Sequence, residues 1–231
     1  MKPIAISAVH QFHETNKAIF SEIDGWMVPN RYAEIKDELE IVERFVGIND
    51  VSSKVKLIIH DEDAVGVLSE YCEIVSGNNC KVMIMKSSDY GFEFILNKLT
   101  SNQWLILGDQ HLKKILIQIE KKGIPFVNIT SGLTGIRLVG PKAKDIISAI
   151  SSFDIRDKMF PNMSVAQISV MHQHAYLLRL DIVGKVCYEI YVGREIGLYI
   201  WNQIIALGNS MGIAPIGNQI IKQIITDGAK A

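Results

Sequence analysis

The sequence predicts an α+β protein built from two ferredoxin-like lobes, each with an antiparallel sheet that carries helices on one face. The order strand, helix, strands, helix, strand occurs in residues 54–129 and returns in a similar form in 135–211. Split βαβ units of this kind give antiparallel sheets with one covered face. Because 48% of the 231 residues are hydrophobic, the chain has enough apolar material for two small cores.

The first elements follow from the periodicity of apolar residues. Residues 34–46 have apolar side chains at helical spacing and a charged outer face, and Gly47 follows as a C-cap. Residues 54–59 predict a strand, and residues 61–71 predict a helix that opens on three acidic side chains. Ser76-Gly77-Asn78-Asn79 predicts a turn.

The later elements are punctuated by polar, glycine and proline residues. Polar residues 98–103 predict a hairpin connection, Gly123 ends a helix, and Pro141 begins the next one. Strands are predicted near 80–86, 91–97, 103–107, 126–129, 135–139, 165–171, 175–182 and 187–192, and helices near 110–121, 141–151, 196–211 and 215–226.

The two lobes are not expected to be consecutive in the chain. The N-terminal segment up to Gly47 is expected to pack with the later strands. Residues 1–47 and 130–231 therefore form a discontinuous first lobe, and residues 48–129 form an inserted second lobe.

Charge and hydropathy exclude several classes of partner. With 24 basic and 25 acidic residues, the net charge of −1 gives no electrostatic case for nucleic acid or an anionic membrane. The apolar stretch 190–205 is interrupted by polar residues and does not approach the roughly 20 apolar residues of a membrane span. The N-terminus lacks the pattern of a signal peptide, so we expect a cytoplasmic protein.

No metal site or disulfide framework is expected. The three cysteines are scattered, and the sequence contains no Cys-x-x-Cys pair. His172 and His174 would share one face of a strand, but no further ligands are suggested near them.

Two separated regions carry a resemblance to a known family. The segment Gly25–Tyr32 reads GWMVPNRY and Gly47–Ser52 reads GINDVS; later, Gly135–Ala143 reads GIRLVGPKA and Gly184–Glu189 reads GKVCYE. Together they resemble the folate-binding part of the aminomethyltransferases, the T protein of the glycine cleavage system. The resemblance covers about residues 19–227 and implies the T-protein folate-binding fold, with no counterpart of the family's C-terminal β-barrel.

The resemblance implies a tetrahydrofolate site. The final glutamate of the family segment corresponds to Glu189, whose carboxylate would accept a bidentate pair from the pterin edge. Tyr188 is retained beside it, while Ile182 stands where the family has a tyrosine and a second family tyrosine falls near Cys80. Glu189, Tyr188, Ile182 and Cys80 are therefore the predicted cofactor-binding positions; the alternative for Glu189 is a solvated strand carboxylate beside Lys185.

The resemblance implies less for catalysis. The family's acidic pair falls on Phe92-Glu93-Phe94, so Glu93 is the surviving candidate for acid–base work. On a strand, Glu93 would point away from both phenylalanines, toward solvent or a cleft. Two family arginines, one of which contacts the folate tail, are replaced by Ile221 and Ile225.

Compensation for the lost arginines stays open at this point. The candidate replacements are Lys222, Arg194 and Arg179. The changed positions together suggest a relaxed or repurposed site.

Three functions remain open. The first is one-carbon transfer from an aminomethyl donor to tetrahydrofolate, with a lipoyl carrier protein or a dehydrogenase subunit as partner. The second is a non-catalytic subunit of a complex like sarcosine oxidase, whose small subunit is similar to this fold. The third is a folate-binding regulatory module, and a homo-oligomer is possible in each case.

Overall fold

The computed structural model describes residues 3–78, 82–89 and 91–230. Over these residues the chain divides into two compact units. The first contains the described residues of Met1–Ser53, Leu133–Asn162 and Gln167–Ala231, and the second contains those of Lys54–Gly132 and Met163–Ala166.

The first part of the chain alternates short strands and helices. Its elements are β1 (Ala5–Ile6), α1 (His10–Thr15), β2 (Ile19–Ile23), β3 (Trp26–Arg31), α2 (Ile35–Arg44) and β4 (Val46–Asp50).

The middle of the chain forms the second unit. Its elements are β5 (Val55–His60), α3 (Ala64–Ser69), β6 (Cys72–Asn78), β7 (Val82–Ser87), β8 (Glu93–Lys98), β9 (Gln103–Gly108), α4 (Leu112–Lys121) and β10 (Phe126–Asn128).

The last part of the chain returns to the first unit. Its elements are β11 (Leu133–Val139), α5 (Ala143–Ile150), β12 (Ser164–Val170), β13 (Gln173–Arg179), β14 (Cys187–Gly193), α6 (Gly197–Gly208), β15 (Ile213–Pro215) and α7 (Asn218–Gly228).

The first unit is organised around a six-stranded sheet in the order β12-β13-β14-β11-β4-β15. Its central strands pair antiparallel, and β15 joins β4 in parallel. Apolar side chains of α2 and α7 pack with Val139 of β11 and Cys187 of β14 in one buried cluster. Helix α6 approaches β11 closely, since a Cβ at Gly197 would lie 2.1 Å from Thr134 Oγ1.

The second unit is a six-stranded sheet, in the order β10-β5-β9-β8-β7-β6, with its named strand pairs antiparallel. Alternate residues of its strands, among them Leu57, Met85 and Phe94, form one buried cluster with residues of α3 and α4. Alternation therefore places both helices on one face of this sheet.

The fold class confirms the prediction from sequence, because the chain is a mixed α+β protein with antiparallel sheets. The turn predicted at Ser76–Asn79 is wrong for its described part, because β6 continues to Asn78. Gly77 is paired with Met83 in that strand, and an added Cβ would lie 3.1 Å from Met83 Cγ. The three-stranded sheet β1-β3-β2 was not predicted.

A buried carboxylate ties α2 to the C-terminal part of the first unit. Glu38 is 1% exposed, and its Oε1 accepts backbone N–H bonds from Tyr32 at 2.6 Å and Ala33 at 3.2 Å. Its Oε2 accepts the N–H of Gly217 at 3.0 Å, just before α7. One side chain therefore satisfies three backbone donors from two segments that are far apart in sequence.

Replacing Glu38 by alanine should destabilise the protein by at least about 2 kcal/mol, because three buried backbone donors lose a charged acceptor. Urea unfolding would measure the change, with Glu40→Ala on the exposed side of the same helix as control. Equal costs for the two substitutions would contradict this assignment.

Candidate functional site

The candidate site lies on three adjacent strands of the first unit. Glu189 of β14 is directly opposite Arg137 of β11, and Arg137 is directly opposite Asn49 of β4. Residues opposite each other in antiparallel strands project from the same face. The strand register therefore places the three polar side chains in one row, which we call the Glu189 row.

Arg137 and Glu189 form a buried ion pair. Arg137 donates from Nε at 3.0 Å and from Nη2 at 2.6 Å, both to Oε1 of Glu189. Arg137 is 8% exposed and Glu189 is 3% exposed. Burial acts to lower the pKa of Arg137, but the negative charge of Glu189 outweighs it and the pKa of the guanidinium is raised.

The second oxygen of Glu189 is also engaged. Tyr191, two residues along the same strand face, donates its hydroxyl hydrogen to Oε2 of Glu189. Burial and then the charge of Glu189 raise the pKa of Tyr191 well above its ordinary value, so this hydroxyl stays a donor. Gly135 makes room for the ring, because an added Cβ there would lie 2.9 Å from Tyr191 Cε1.

Asn49 completes the row with one unsatisfied acceptor. Its Nδ2 donates to the carbonyl of Ile216 and to Oδ1 of Asn218, both at 3.2 Å, which fixes the orientation of the amide. Its Oδ1 is buried and has no hydrogen-bond partner among the described residues. A buried acceptor without a donor is costly and is rare in native proteins.

The structure separates the predicted folate-binding residues. Glu189 lies in the row, but Tyr188 projects from the opposite face, is fully buried, and stacks with Phe160 at a ring distance of 6.5 Å. Ile182 is half-buried beside the α2–α7 cluster, where its backbone pairs with Lys185. Cys80 lies outside the described residues.

The predicted catalytic residue belongs to the second unit. Glu93 is the first residue of β8, is exposed, and lies opposite Lys86 of β7. Its neighbours Phe92 and Phe94 both pack with the buried cluster of that unit, as strand alternation predicts.

The positions of the lost arginines lie on α7. Ile221 is buried and Ile225 is 51% exposed. Of the possible replacements, Arg179 is engaged by Asp157, Asp181 and the carbonyl of Phe160.

Arg194 and Lys222 are the remaining replacements. Arg194 donates Nη2 to the carbonyl of Ile6 at 2.8 Å. Lys222 is an exposed residue of α7.

A second polar cluster lies on the opposite face of the sheet. Asp50, beside Asn49 on β4, accepts from His13 Nε2 at 2.9 Å, and Tyr32 donates its hydroxyl to His13 Nδ1 at 2.6 Å. The geometry fits one neutral imidazole tautomer, which donates to the carboxylate and accepts from the phenol. The cluster joins three segments of the first unit.

Protonation in this cluster is shaped by burial and hydrogen bonds. Burial acts to raise the pKa of Asp50, but bonds from His13, Ser52 and Ser7 outweigh it, and the pKa of Asp50 is lowered. Burial and the nearby charges of Asp50 and Glu38 raise the pKa of Tyr32. His13 and Asp50 are both buried and the cluster joins separate segments, so we interpret it as a structural anchor.

The other candidate features of the described residues are metal-binding groups, cavities and membrane-spanning helices. In the described ranges, no three His, Cys, Asp or Glu side chains are grouped so that they could hold a metal ion. A cavity of about 540 Å³ at the end of α5 is lined by Ser151, Ser169, His172 and Tyr199, among others, and by none of the predicted site residues. Over the same ranges, no helix combines the length and apolar character needed to cross a membrane.

Sequence reasoning missed Arg137, Tyr191 and Asn49. A signal for Arg137 was present, because it is the one charged residue in the apolar strand Leu133–Val139. The signal did not identify the partner, because the pairing depends on strand register between residues 52 positions apart.

The described site does not fit a pterin in this arrangement. A pterin edge needs both oxygens of the carboxylate for its paired N–H groups. Here Oε1 accepts from Arg137 and Oε2 accepts from Tyr191. A pterin bound to both oxygens would therefore compete with Arg137 at Oε1.

Comparisons with known proteins show which family and which relatives the sequence is similar to. The family model described as "GCVT N-terminal domain" matches residues 9–224. An aminomethyltransferase from Flavobacterium psychrophilum is 22% identical over 225 residues, covering 91% of this chain and 61% of that protein. Sarcosine oxidase subunit alpha from Corynebacterium sp. U-96 is 22% identical, covering 95% of this chain and 25% of that subunit. The chain thus spans about three-fifths of the aminomethyltransferase.

Solved structures show the same fold. The glycine cleavage system aminomethyltransferase T from Bartonella henselae matches with a TM-score of 0.78 and 15% identity, over 96% of this chain and 62% of that one. A chain of the heterotetrameric sarcosine oxidase from Corynebacterium sp. U-96 matches with a TM-score of 0.59 and 13% identity, over 74% of this chain and 88% of that one.

Substitutions in the ion pair should be strongly non-additive. Arg137→Met or Glu189→Leu alone should each cost about 3–5 kcal/mol, because the other charge is left buried without its partner. The double variant should cost far less than the sum, since no buried charge remains. Urea unfolding of the four proteins measures the coupling; a double variant equal to the sum would contradict the pair.

Acid should weaken the Asp50 cluster. Because the folded pKa of Asp50 is lowered, its stabilising contribution is present above the pKa of the unfolded chain and is lost as pH falls through the folded pKa. Asp50→Asn should therefore cost about 2 kcal/mol or more near pH 7, and the cost should shrink as pH falls below the ordinary aspartate pKa of 3.8. Urea midpoints across this range test it, with the exposed Asp227→Asn as control; a cost independent of pH would contradict it.

Proposed function

The chain belongs to the GCVT N-terminal domain family, and from this premise we propose that it is a non-catalytic subunit of an enzyme complex and does not itself transfer a one-carbon group. The observation that carries the proposal is the internal engagement of Glu189. Both oxygens of the carboxylate expected to contact a pterin accept hydrogen bonds from the protein itself.

The energetic argument follows from burial. A ligand at Glu189 would leave the guanidinium of Arg137 without its carboxylate in a site where Arg137 is 8% exposed. Separating a buried ion pair costs about 3–5 kcal/mol unless the freed charge finds a new partner. A pterin would first have to offset that cost, which favours the closed pair.

The predicted acid–base group gives little support to one-carbon transfer. Glu93 is an exposed carboxylate opposite Lys86, without the paired acid of the family segment. A single exposed carboxylate on a strand surface gives no enclosed site in which a substrate proton could be transferred. The two isoleucines on α7 likewise offer no charge for the glutamate tail of a folate.

One comparison supports a role as a subunit. The match covers 88% of the sarcosine oxidase chain and 74% of this chain, so the sarcosine oxidase chain is the shorter of the two. The fold therefore accounts for most of that chain, whereas the match to sarcosine oxidase subunit alpha covers 25% of the subunit. We propose a similar role here, with a dehydrogenase or oxidase subunit as the partner.

A second candidate function is tetrahydrofolate-dependent aminomethyl transfer. It is favoured by the match to aminomethyltransferases and by the retention of Glu189 and Tyr188. The one-carbon donor would then be an aminomethyl group on a lipoyl carrier protein or an imine made by a partner dehydrogenase. Glu93 would be its acid–base residue.

Titration with tetrahydrofolate in a calorimeter separates the two functions. We expect no saturable heat from the wild-type chain at millimolar ligand, and no methylene-tetrahydrofolate when an aminomethyl-lipoyl carrier protein is added. Glu189→Ala is the matched control. Binding that this substitution abolishes, together with product formation, would overturn the proposal in favour of aminomethyl transfer.

A further inference from the structure

We infer that Arg137 is a built-in occupant of the Glu189 carboxylate and determines the specificity of this site by excluding ligands with a planar amidine or guanidine edge. The inference rests on the proposed function, because it gives the physical reason why the retained carboxylate does not take a pterin. Because the guanidinium of Arg137 fills the site, the excluded ligands are those with a similar planar edge of N–H donors.

The site is shaped for a guanidinium. Oε1 of Glu189 accepts two N–H groups of Arg137, at 2.6 and 3.0 Å, and the hydroxyl of Tyr191 holds Oε2. Gly135, opposite Tyr191, leaves the space in which that ring lies. A planar group with neighbouring N–H donors matches this arrangement, and a compact ammonium does not.

The occupant is supplied by the chain itself. Arg137 lies directly across one strand pair from Glu189, so its guanidinium reaches the carboxylate without leaving the sheet face. Both groups are buried, and a buried carboxylate needs a partner. Any amidine ligand must therefore compete with a tethered guanidinium, whose effective concentration exceeds that of a free ligand.

A second observation is that the Glu189 row contains a buried hydrogen-bond acceptor without a donor among the described residues. Asn49, fully buried and directly opposite Arg137, has an Oδ1 without a donor among the described residues. Its Nδ2 is fixed by two acceptors, so the amide cannot be reversed without losing both bonds. A ligand edge with more donors than one guanidinium could satisfy this oxygen, as an amino-substituted heterocycle does.

Removing Arg137 should open the site. In Arg137→Ala, Glu189 keeps its charge and loses its cationic partner, so a small guanidine should bind in place of the Arg137 side chain. The probes are guanidinium chloride at low millimolar concentration, compared with sodium chloride at equal ionic strength, and 6-carboxypterin. We expect each probe to raise the melting temperature of Arg137→Ala saturably, by ~2–4 °C.

Matched variants isolate the carboxylate. The wild-type chain should not respond, because Arg137 fills the site, and Arg137→Ala with Glu189→Ala should not respond, because the acceptor is gone. Arg137→Gln, which is shorter and keeps an amide donor, replaces Arg137→Ala if the latter does not fold, and the same response is expected.

The outcomes are distinct. A folded Arg137 variant that responds to neither probe overturns the inference, as does a wild-type chain that binds 6-carboxypterin as tightly as the variant. A response to guanidinium alone overturns the extension to pterins. One-carbon transfer by the wild-type chain would instead overturn the proposed function, whatever the probes do with the variant.

Discussion

The buried pair between Arg137 and Glu189 constrains the central strands of the first unit. A shift of one residue in the register of β11 and β14 would turn one charge to the opposite face and leave the other buried alone. The pair therefore favours one alignment of the two strands, which the alternation of apolar residues alone does not determine. The same alignment places Tyr191 against Gly135 and brings Asn49 into the row. The Arg137–Glu189 pair is thus linked both to the register of the strands and to the side chains that meet at the site.

Three buried carboxylates of the first unit each join separate segments of the chain through hydrogen bonds. Glu189 joins two strands, Asp50 joins β4 to α1 through His13, and Glu38 joins α2 to the segment before α7. Each has hydrogen-bond donors for its charge, so each stabilises only the arrangement that supplies those donors. For Glu189 the arrangement also underlies the proposed function, because a ligand at this carboxylate has to compete with donors of the chain itself. Under the proposed function, fold stability and the exclusion of folate are two results of one contact.

Much of the fold was accessible from local patterns. The apolar spacing of residues 34–46 and 110–121 predicts α2 and α4, because helical periodicity is a local property. The strand β6 was missed because Ser76-Gly77-Asn78 has the composition of a turn, whereas its strand conformation depends on pairing with β7. The sequence identified Glu189 through its resemblance, but the partner of that carboxylate is set by long-range register. Tyr188 was misleading for a local reason: it is adjacent to Glu189 on one strand, so it projects from the opposite face.

The most direct test of the account is the state of the Arg137 side chain in solution. Arginine side-chain NMR of ¹⁵N-labelled protein, assigned with Arg137→Lys, reports the exchange of its Nε proton with water. We predict a slowly exchanging Arg137 Nε–H signal that is lost in Glu189→Gln and is unchanged by tetrahydrofolate. A signal that exchanges as fast as that of exposed Arg156, or one that moves on addition of tetrahydrofolate, would contradict the claim that Arg137 occupies the carboxylate.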